Sequence, residues 1–267
     1  MSLQTPWNSA YNNAKGALLV GNATRPIVRT VGTNGQVLTA NSANADGVEW
    51  ATPSADVSSI VQQTFAANGT YTPTAGMNYC IIEVYGGGGG AAGPVATGAG
   101  QFSVSGGAGA GGYSKGVFSA AAVGVSQAVV IGAGGAGGLG GVGTTGGTSS
   151  VGALISATGG QSGAAVGATA SVFGRGGAGG TGSIGGVTTR GSGGDTGLGN
   201  STFTAAGWGG SSAVGQGGEG SAFVAHQAGT PATGRGAGGG GSTNGPGQIV
   251  LVGAAGSAGL VIITEYI

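Results

Sequence analysis

The ionisable side chains of this sequence are few, and they are the first candidates for chemistry. Beyond Tyr85 the chain offers two carboxylates before its last apolar stretch, Asp195 and Glu219, and one histidine, His226. Paired carboxylates can hydrolyse a glycosidic bond, and His226 with Asp195 and a serine could form a hydrolytic triad. No GxSxG elbow or other positioning motif accompanies them. The sequence therefore predicts no enzyme, with polysaccharide cleavage as the minor alternative.

Metal, cofactor and nucleic-acid sites are equally disfavoured. One cysteine, Cys80, and one histidine cannot supply a zinc cluster. Matches to the dinucleotide pattern GxGxxG are unavoidable in a chain with 69 glycines and mean little without a strand–helix context. The four basic residues beyond Tyr85 are scattered singly and cannot neutralise a run of phosphates. We predict no metal, no cofactor and no nucleic-acid partner.

Glycine usage divides the chain. Of the 69 glycines in 267 residues, only seven precede Gly86. Charged residues make up 5% of the chain, whereas disordered regions are typically rich in charge, so a folded protein with a largely uncharged surface is expected. We predict two parts: a small β- and turn-rich N-terminal region, 1–60, and a glycine-rich domain, 61–267.

The N-terminal region contains short strand candidates at 16–20, 27–31 and 36–39. Asn34-Gly35 lies between two of them and predicts a hairpin with a type I′ turn. A few hairpins bury little core alone, so this region is expected to oligomerise. The first residues lack a signal-peptide pattern and no apolar run is long enough to span a membrane, which favours a protein made and assembled in the cytosol.

Two strong strand patterns bracket the glycine-rich part. "NYCIIEVY" should place Cys80, Ile82 and Val84 on one face, and "GLVIITEYI" at the other end reads as a strand buried on both faces. We expect the two to share a sheet. Weaker candidates at 113–118, 127–131, 149–158 and 248–252 complete a mainly β, sandwich-like framework, with Phe102 and Phe173 in its core.

The glycines follow a period of three. Residues 132–143 split into Gly-Ala-Gly, Gly-Ala-Gly, Gly-Leu-Gly and Gly-Val-Gly, and 106–112 and 174–182 keep the same triplet. Three residues per turn is the repeat of polyproline II, which has no internal hydrogen bonds. Stacked helices of this kind could bond to one another through main chains, with Ala133, Ala136, Leu139 and Val142 along one decorated edge.

Three stretches together carry a family resemblance. "VGTNGQVLTANSANADGVEWATP", "TFAANGTYTPTAGMNYCIIEVYGGGGGAAG" and the ending "GSAGLVIITEY" resemble bacteriophage tail-fibre proteins with a glycine-rich receptor-recognition domain like that of the T4-type adhesins. The resemblance implies stacked polyproline II helices whose distal loops contact the bacterial surface. It departs from that family in one respect, because this chain carries its own shaft-like N-terminus.

The resemblance implies a virion protein, assembled in the host cytoplasm, that attaches the phage to its host. Its partners would be an outer-membrane protein or a polysaccharide on the bacterial surface, and baseplate or other tail proteins through the N-terminus. A homotrimer fixed by residues 1–60 is expected. The alternative to receptor contact is a purely structural fibre or cap protein; a free ice-binding protein is disfavoured by the shaft-like N-terminus.

The candidate receptor-binding residues lie in the less glycine-rich inserts between triplets. Exposed aromatic side chains suit both protein receptors and the apolar faces of sugars, and polar side chains would add directional contacts. Trp208, which lies between glycines, could equally pack over a glycine layer. The predicted site comprises Arg190, Asp195, Asn200, Phe203, Trp208, Phe223, His226 and Gln227.

Overall fold

The structure is a computed structural model that describes residues 15–53, 57–222 and 226–267. It is mainly β, with a single one-turn helix among the described residues. The chain divides into two compact units, 1–56 and 57–267. No helix within the described ranges has the length and apolar character needed to cross a membrane.

The first unit consists of two short antiparallel hairpins. Strand β1 (Leu18–Gly21) pairs with β2 (Pro26–Arg29), and β3 (Val37–Ala40) pairs with β4 (Val48–Ala51). The predicted hairpin at Asn34-Gly35 is therefore wrong, because the strands on either side of it pair with other partners. Only Gly35 has a positive φ (89°), whereas a type I′ turn needs both central residues there.

Two side chains join these hairpins. Arg29 in β2 donates to both carboxylate oxygens of Asp46, with Nε and Nη2 each 2.7 Å away. This hydrogen bonding holds the pKa of Asp46 below its ordinary value. Trp50 in β4 donates its indole N–H to the carbonyl of Thr30. The first unit thus relies on polar links between hairpins and keeps several apolar side chains exposed, including Leu19 and Val31.

The second unit contains strands β5 to β22 and helix α1. Their bounds are β5 Ile60–Phe65, β6 Gly69–Tyr71, β7 Tyr79–Tyr85, β8 Ser103–Val104, β9 Tyr113–Ser119, α1 Ala120–Val123, β10 Gln127–Val130, β11 Ser149–Val151, β12 Ile155–Ala157, β13 Val172–Gly174, β14 Gly182–Ile184, β15 Val187–Thr189, β16 Gly197–Gly199, β17 Thr204–Ala205, β18 Gly215–Gln216, β19 His226–Gln227, β20 Thr233–Gly234, β21 Thr243–Asn244 and β22 Leu260–Tyr266.

Two five-stranded antiparallel sheets form the framework of the second unit. Sheet A has the order β15-β9-β7-β22-β5, and sheet B the order β14-β12-β11-β10-β6. The predicted pairing of the two strong strands is confirmed, with Tyr79 opposite Tyr266 and Tyr85 opposite Leu260. Short ladders between glycine-rich stretches make up the remaining sheets, β13-β16-β17, β19-β21-β8 and β18-β20.

Buried side chains of sheets A and B meet in one apolar cluster. Cys80, Ile82 and Val84 face it from β7, as predicted from their alternation, and none of them is exposed to solvent. Val151 and Ile155 reach the same cluster from sheet B. The expectation that the last strand is buried on both faces is wrong, because alternate residues of β22 are only half buried.

One carboxylate lies inside this framework. Glu265 in β22 is fully buried and accepts hydrogen bonds from the Tyr71 hydroxyl (2.8 Å), from the main chain and hydroxyl of Thr74 (3.1 and 2.5 Å) and from Gln63 (3.3 Å). Burial and the bond to Glu265 raise the pKa of Tyr71, so that its hydroxyl remains a donor. Glu265 thereby ties the turn after β6 to the last strand.

About half of the remaining residues of the second unit lie in segments that belong to no sheet. We call them the glycine segments, and they comprise residues 86–93, 106–112, 132–138, 143–147, 158–164, 175–181, 191–195, 206–210, 217–221, 236–242 and 253–259. Segments 86–93 and 106–112 are central, because each exchanges main-chain hydrogen bonds with several others. Residues 106–112 are all buried.

The main-chain bonds of segment 106–112 repeat every three residues. Successive N–H groups donate to three different neighbouring segments in rotation. Gly106, Gly109 and Gly112 donate to carbonyls of the first neighbour, at Ala164, Gln161 and Thr158. Gly107 and Ala110 donate to the second, at Asp195 and Ser192, and Ala108 and Gly111 donate to the third, at Gly239 and Gly236. Segment 86–93 shows the same repeat, since Gly86 and Gly89 donate to Gly112 and Gly109. The residue numbers of the acceptors fall as those of the donors rise, so these neighbouring segments run antiparallel.

Such close packing leaves no room for a side chain at many of the glycine positions. A Cβ atom added to Gly107 would overlap the carbonyl of Trp208, and one added to Gly88 would overlap the carbonyl of Ala237. These neighbours are main-chain atoms of other segments, which cannot rotate away as a side chain can. Glycine is required here by contact between backbones.

The straight part of the stretch 132–143 is shorter than its four triplets suggest. Exposure has the predicted period, with Ala133, Ala136 and Leu139 exposed and Gly135 and Gly138 buried. The segment ends there, because the chain reverses at Gly140, whose φ is +59°. Val142 is exposed but lies beyond that turn, in the approach to the antiparallel segment 143–147.

Replacing the buried carboxylate tests its structural role. Glu265→Gln replaces one carboxylate oxygen, which accepts hydrogen bonds in the parent protein, by an amide group that cannot accept them. We therefore expect a loss of about 2–3 kcal/mol in the free energy of unfolding. Urea denaturation measures this quantity. Glu219→Gln is the matched control, because Glu219 is exposed and its carboxylate bonds to no described residue. Equal stability of the two variants would contradict the assigned role.

Adding one methyl group tests the backbone contacts. We expect Gly107→Ala to lower the free energy of unfolding by at least about 3 kcal/mol, because its Cβ meets a carbonyl that cannot move aside. Gly141→Ala should be neutral or slightly stabilising, since the nearest atom to its Cβ would be 3.9 Å away. Thermal unfolding followed by circular dichroism distinguishes these results, and similar melting temperatures would refute the contact argument.

Candidate functional site

The glycine segments define two ends of the second unit. Segment 86–93 begins where β7 ends, and segment 106–112 ends where β9 begins, so residues 86 and 112 lie next to sheet A. We call this the near end. Gly93 and Gly106 lie at the opposite end of the same antiparallel pair, which we call the far end.

Many connections between glycine segments lie at the far end. The hydrogen-bond register places most of them there, because the residues on either side bond to 91–93 or 105–107. The connection 222–228 is placed by its neighbours Ser221 and Gly229, which bond to Gly241 and Ser242, and Ser242 in turn bonds to Ser105. We call them the far-end connections, and they comprise residues 94–104, 139–142, 165–174, 196–205, 222–228 and 243–252, apart from 223–225, which lie outside the described residues.

Hydrogen bonds fasten these connections to one another. The Thr97 hydroxyl donates to the carbonyl of Gly245, and the Thr97 main chain donates to Gln248. The Ser103 hydroxyl donates to the carbonyl of Val166, and Phe102 pairs with Thr169. The far end is therefore a packed surface built from several connections.

Asn244 is the polar centre of this surface. It is fully buried and donates its two amide hydrogens to the carbonyls of Val95 (2.9 Å) and Ile249 (2.7 Å). Its Oδ1 lies 2.8 Å from Nδ1 of His226, and since the amide hydrogens are used, that oxygen is the acceptor and Nδ1 the donor. A neutral His226 then keeps Nε2 as an acceptor.

The outer side of the far end carries apolar side chains and no charge. None of the far-end connections contains Asp, Glu, Lys or Arg. Large apolar side chains are nevertheless exposed on them: Leu139, Val142, Phe173, Leu198, Phe203, Ile249, Val250 and Val252. Exposed apolar groups gathered in one region are typical of interaction surfaces.

Asn200 and Phe203 lie on one far-end turn, between β16 and β17. The Asn200 side-chain oxygen accepts from the main chains of Thr202 and Phe203 and from the Thr202 hydroxyl. Asn200 therefore shapes the turn through its own side chain. Phe203 is 37% exposed at the same turn.

Asp195 and Trp208 lie on the flank just below the far end. Asp195 donates its main-chain N–H to the carbonyl of Trp208 and accepts from Gly107, so both backbones belong to the packed segments. Their side chains point outward, with Trp208 49% exposed. The sequence left open whether Trp208 packs over a glycine layer or is exposed for binding. Its backbone packs on a glycine layer, and its side chain is about half exposed.

His226 and Gln227 form strand β19 and pair with Asn244 and Thr243 of β21. Gln227 is exposed and His226 is half buried. Phe223 lies outside the described residues. The far end thus brings together Asn200, Phe203, His226 and Gln227, with Asp195 and Trp208 on its flank.

Arg190 does not join this group. It bridges to Thr181 at the near end, and its Nε donates to the carbonyl of Gly179. Gly191, its neighbour, bonds to Gly180, whose own N–H donates to Ala110. Arg190 and Asp195 occupy opposite ends of one extended segment, so the expected cluster of both residues is not formed.

Much of the apolar surface was not predicted from the sequence. Phe173, expected in the core, is 56% exposed, because it alternates on β13 with the buried Val172 and stands opposite the exposed Leu198. Residues 248–252, expected as a strand, form only an isolated bridge between Leu139 and Val252, and Ile249 is 73% exposed. The sequence signal that could have indicated this surface is the presence of apolar residues in inserts that contain little glycine.

No protein-family model matches the chain. A search of curated proteins likewise returns no match. Any role for the far-end surface must therefore be inferred from its geometry.

An isosteric change at Asn244 tests whether this residue organises the far end. Asn244→Asp replaces a donor by an oxygen that faces the carbonyls of Val95 and Ile249, so we expect a loss of at least about 2 kcal/mol in the free energy of unfolding. We also expect faster amide exchange at residues 94–104 and 243–252. Asn200→Asp is the control, because its side-chain oxygen remains the acceptor. Equal exchange in both variants would rule out the assigned role.

Proposed function

We propose that the second unit is a β-sandwich extended by a bundle of polyproline II helices. Two observations support this description: sheets A and B share one apolar cluster, and hydrogen-bond partners recur every third residue along the glycine segments. A helix with three residues per turn directs successive N–H groups to three neighbours in turn. The exposure of Ala133, Ala136 and Leu139 follows the same repeat.

We propose that the protein is a phage tail-fibre or receptor-binding protein that attaches the virion to the bacterial surface through its far end. The observation that carries the proposal is the convergence of uncharged, partly apolar connections on one end of a bundle whose interior consists of backbone contacts. The bundle provides a rigid base, and the connections can differ in sequence without altering it.

The chemistry of the far end favours a neutral contact area on the receptor. Phe203, Leu198 and Phe173 offer rings and aliphatic surface, while Gln227 and the remaining acceptor of His226 add directional bonds. Such a surface suits an outer-membrane protein or the apolar faces of a polysaccharide. Binding without catalysis is the proposed activity, and it requires no cofactor.

The first unit is proposed as the attachment and trimerisation region of the fibre. It consists of short hairpins that expose Leu18, Leu19, Val28, Val31 and Leu38. Exposed apolar side chains on so small a unit favour association with copies of the chain and with baseplate or other tail proteins. Three tips on one fibre would strengthen weak single contacts through high effective concentration.

Cell binding tests the proposal. Fluorescently labelled protein is titrated onto a panel of bacterial strains, and we expect saturable binding to some of them. Phe203→Ser and the double variant Leu198→Ser/Phe173→Ser should each weaken that binding at least about tenfold, as expected for central apolar contacts. Val125→Ser is the control, because Val125 is 88% exposed on the connection between α1 and β10, within the sheet framework.

The possible results separate the alternatives. Saturable binding that all variants retain would place the receptor contact elsewhere, and absence of binding to any strain would favour a purely structural fibre or cap. Release of oligosaccharides during incubation would favour the polysaccharide-cleaving alternative. Protease treatment of the cells, compared with binding to extracted lipopolysaccharide, distinguishes a protein receptor from a glycan.

A further inference from the structure

A cleft of about 330 Å³ opens at the near end, away from the far-end connections. Its wall combines the end of β7 and the start of β9 with two neighbouring stretches, 189–192 and 211–213. The volume is at the lower limit of small-molecule sites in proteins, which corresponds to a ligand of one or two rings.

Two tyrosines form the aromatic side of this cleft. Tyr85 and Tyr113 are opposite each other in sheet A, with ring centroids 4.9 Å apart. The Tyr113 hydroxyl is engaged, since it donates to Glu83 at 2.5 Å, whereas the Tyr85 hydroxyl bonds to no described residue. Burial raises the pKa of both tyrosines, so both hydroxyls remain protonated near neutral pH.

Arg190 supplies a cation at the edge of the same cleft. Arg190 is exposed, and its Nε donates to the carbonyl of Gly179 at 3.2 Å, which leaves both terminal nitrogens without a described partner. The described ion pairs are Arg29–Asp46 and Lys115–Glu83, so within the described ranges Arg190 forms no ion pair with a carboxylate. Its two terminal nitrogens can therefore hold a carboxylate or phosphate in a bidentate bond.

Hydroxyl groups complete the wall. Ser211 accepts from the main chain of Gly217, and Ser212 donates to the carbonyl of Arg235, so the stretch 211–213 is held in place. Thr189 and Ser192 line the same space, and their hydroxyls bond to no described residue. The cleft thus offers several donors and acceptors around one aromatic wall and one cation.

We infer that this cleft binds a sugar residue that carries one anionic substituent. The apolar C–H face of a sugar ring packs on Tyr113, its hydroxyls bond to Tyr85, Thr189 and Ser192, and its carboxylate or phosphate pairs with Arg190. A single guanidinium suits one anionic group and not a polyphosphate. The site lies at the opposite end from the proposed receptor surface and goes beyond that function.

Titration of the full chain with small ligands tests this inference. Methyl glucuronide and glucose 6-phosphate are compared with methyl glucoside, acetate and inorganic phosphate, and binding is followed by calorimetry and by amide shifts of residues 189–192. We expect at least one anionic sugar to bind about tenfold more tightly than the neutral sugar and the free anions. Whichever of the two binds better identifies the carboxylate or the phosphate as the natural substituent.

Matched variants locate the site. Arg190→Gln should weaken the binding of the anionic sugar at least tenfold, and Tyr85→Phe should weaken it measurably. Arg175→Gln and Tyr79→Phe, which remove the same groups outside the cleft, should bind like the parent protein. Unchanged glycine amide spectra in all four variants show that the fold is retained.

Four results would overturn the inference. Failure of both anionic sugars to bind, or unchanged binding in Arg190→Gln, would exclude the site. Methyl glucoside binding as tightly as the anionic sugars would exclude the role of the guanidinium, and acetate or phosphate binding as tightly would exclude a saccharide. None of these results depends on attachment to cells, so the cleft and the proposed receptor surface succeed or fail separately.

Discussion

Main-chain hydrogen bonding between glycine segments is the constraint on which the rest of this structure depends. A buried backbone must pair its N–H and C=O groups, and the described segments do so without forming sheets. Each central residue addresses a different neighbour from the one before it, so one segment needs partners on several sides. Neighbours on several sides can approach only if no side chain intervenes, which is why glycine occupies positions such as 88 and 107.

This arrangement separates the contacts that stabilise the second unit from the exposed surface proposed to bind a receptor. Glycine loses more conformational freedom on folding than any other residue, so an isolated glycine segment would not remain ordered. Order comes from the anchoring of the segments at the near end, where β7 and β9 belong to a sheet with an apolar core. At the far end the connections are fastened by side chains such as Thr97, Ser103 and Asn244. The exposed apolar residues there lie on connections that other side chains hold in place.

Local features of this fold could be predicted from sequence, and long-range ones could not. The alternation in β7 and the triplets after Ile131 gave the correct buried and exposed positions, because both depend only on the local backbone repeat. The turn at Asn34-Gly35 was recognised, but strand pairing depends on distant partners, and the predicted hairpin was wrong. Phe173 was predicted in the core because its pairing with the exposed Leu198 cannot be seen in the sequence. Arg190 was grouped with Asp195, but the segment between them runs along the bundle and separates them.

The repeat of three also limits how such a protein can vary. In a segment with three residues per turn, an insertion of one residue sends every following N–H to a different neighbour and turns side chains towards backbones, much as a one-residue slip inverts the faces of a β-strand. An insertion of three keeps each residue facing the same neighbour. The connections have no such restriction, because their main chains are held by side-chain and turn contacts. Sequence change is therefore tolerated better at the exposed positions of the far-end connections than within the glycine segments.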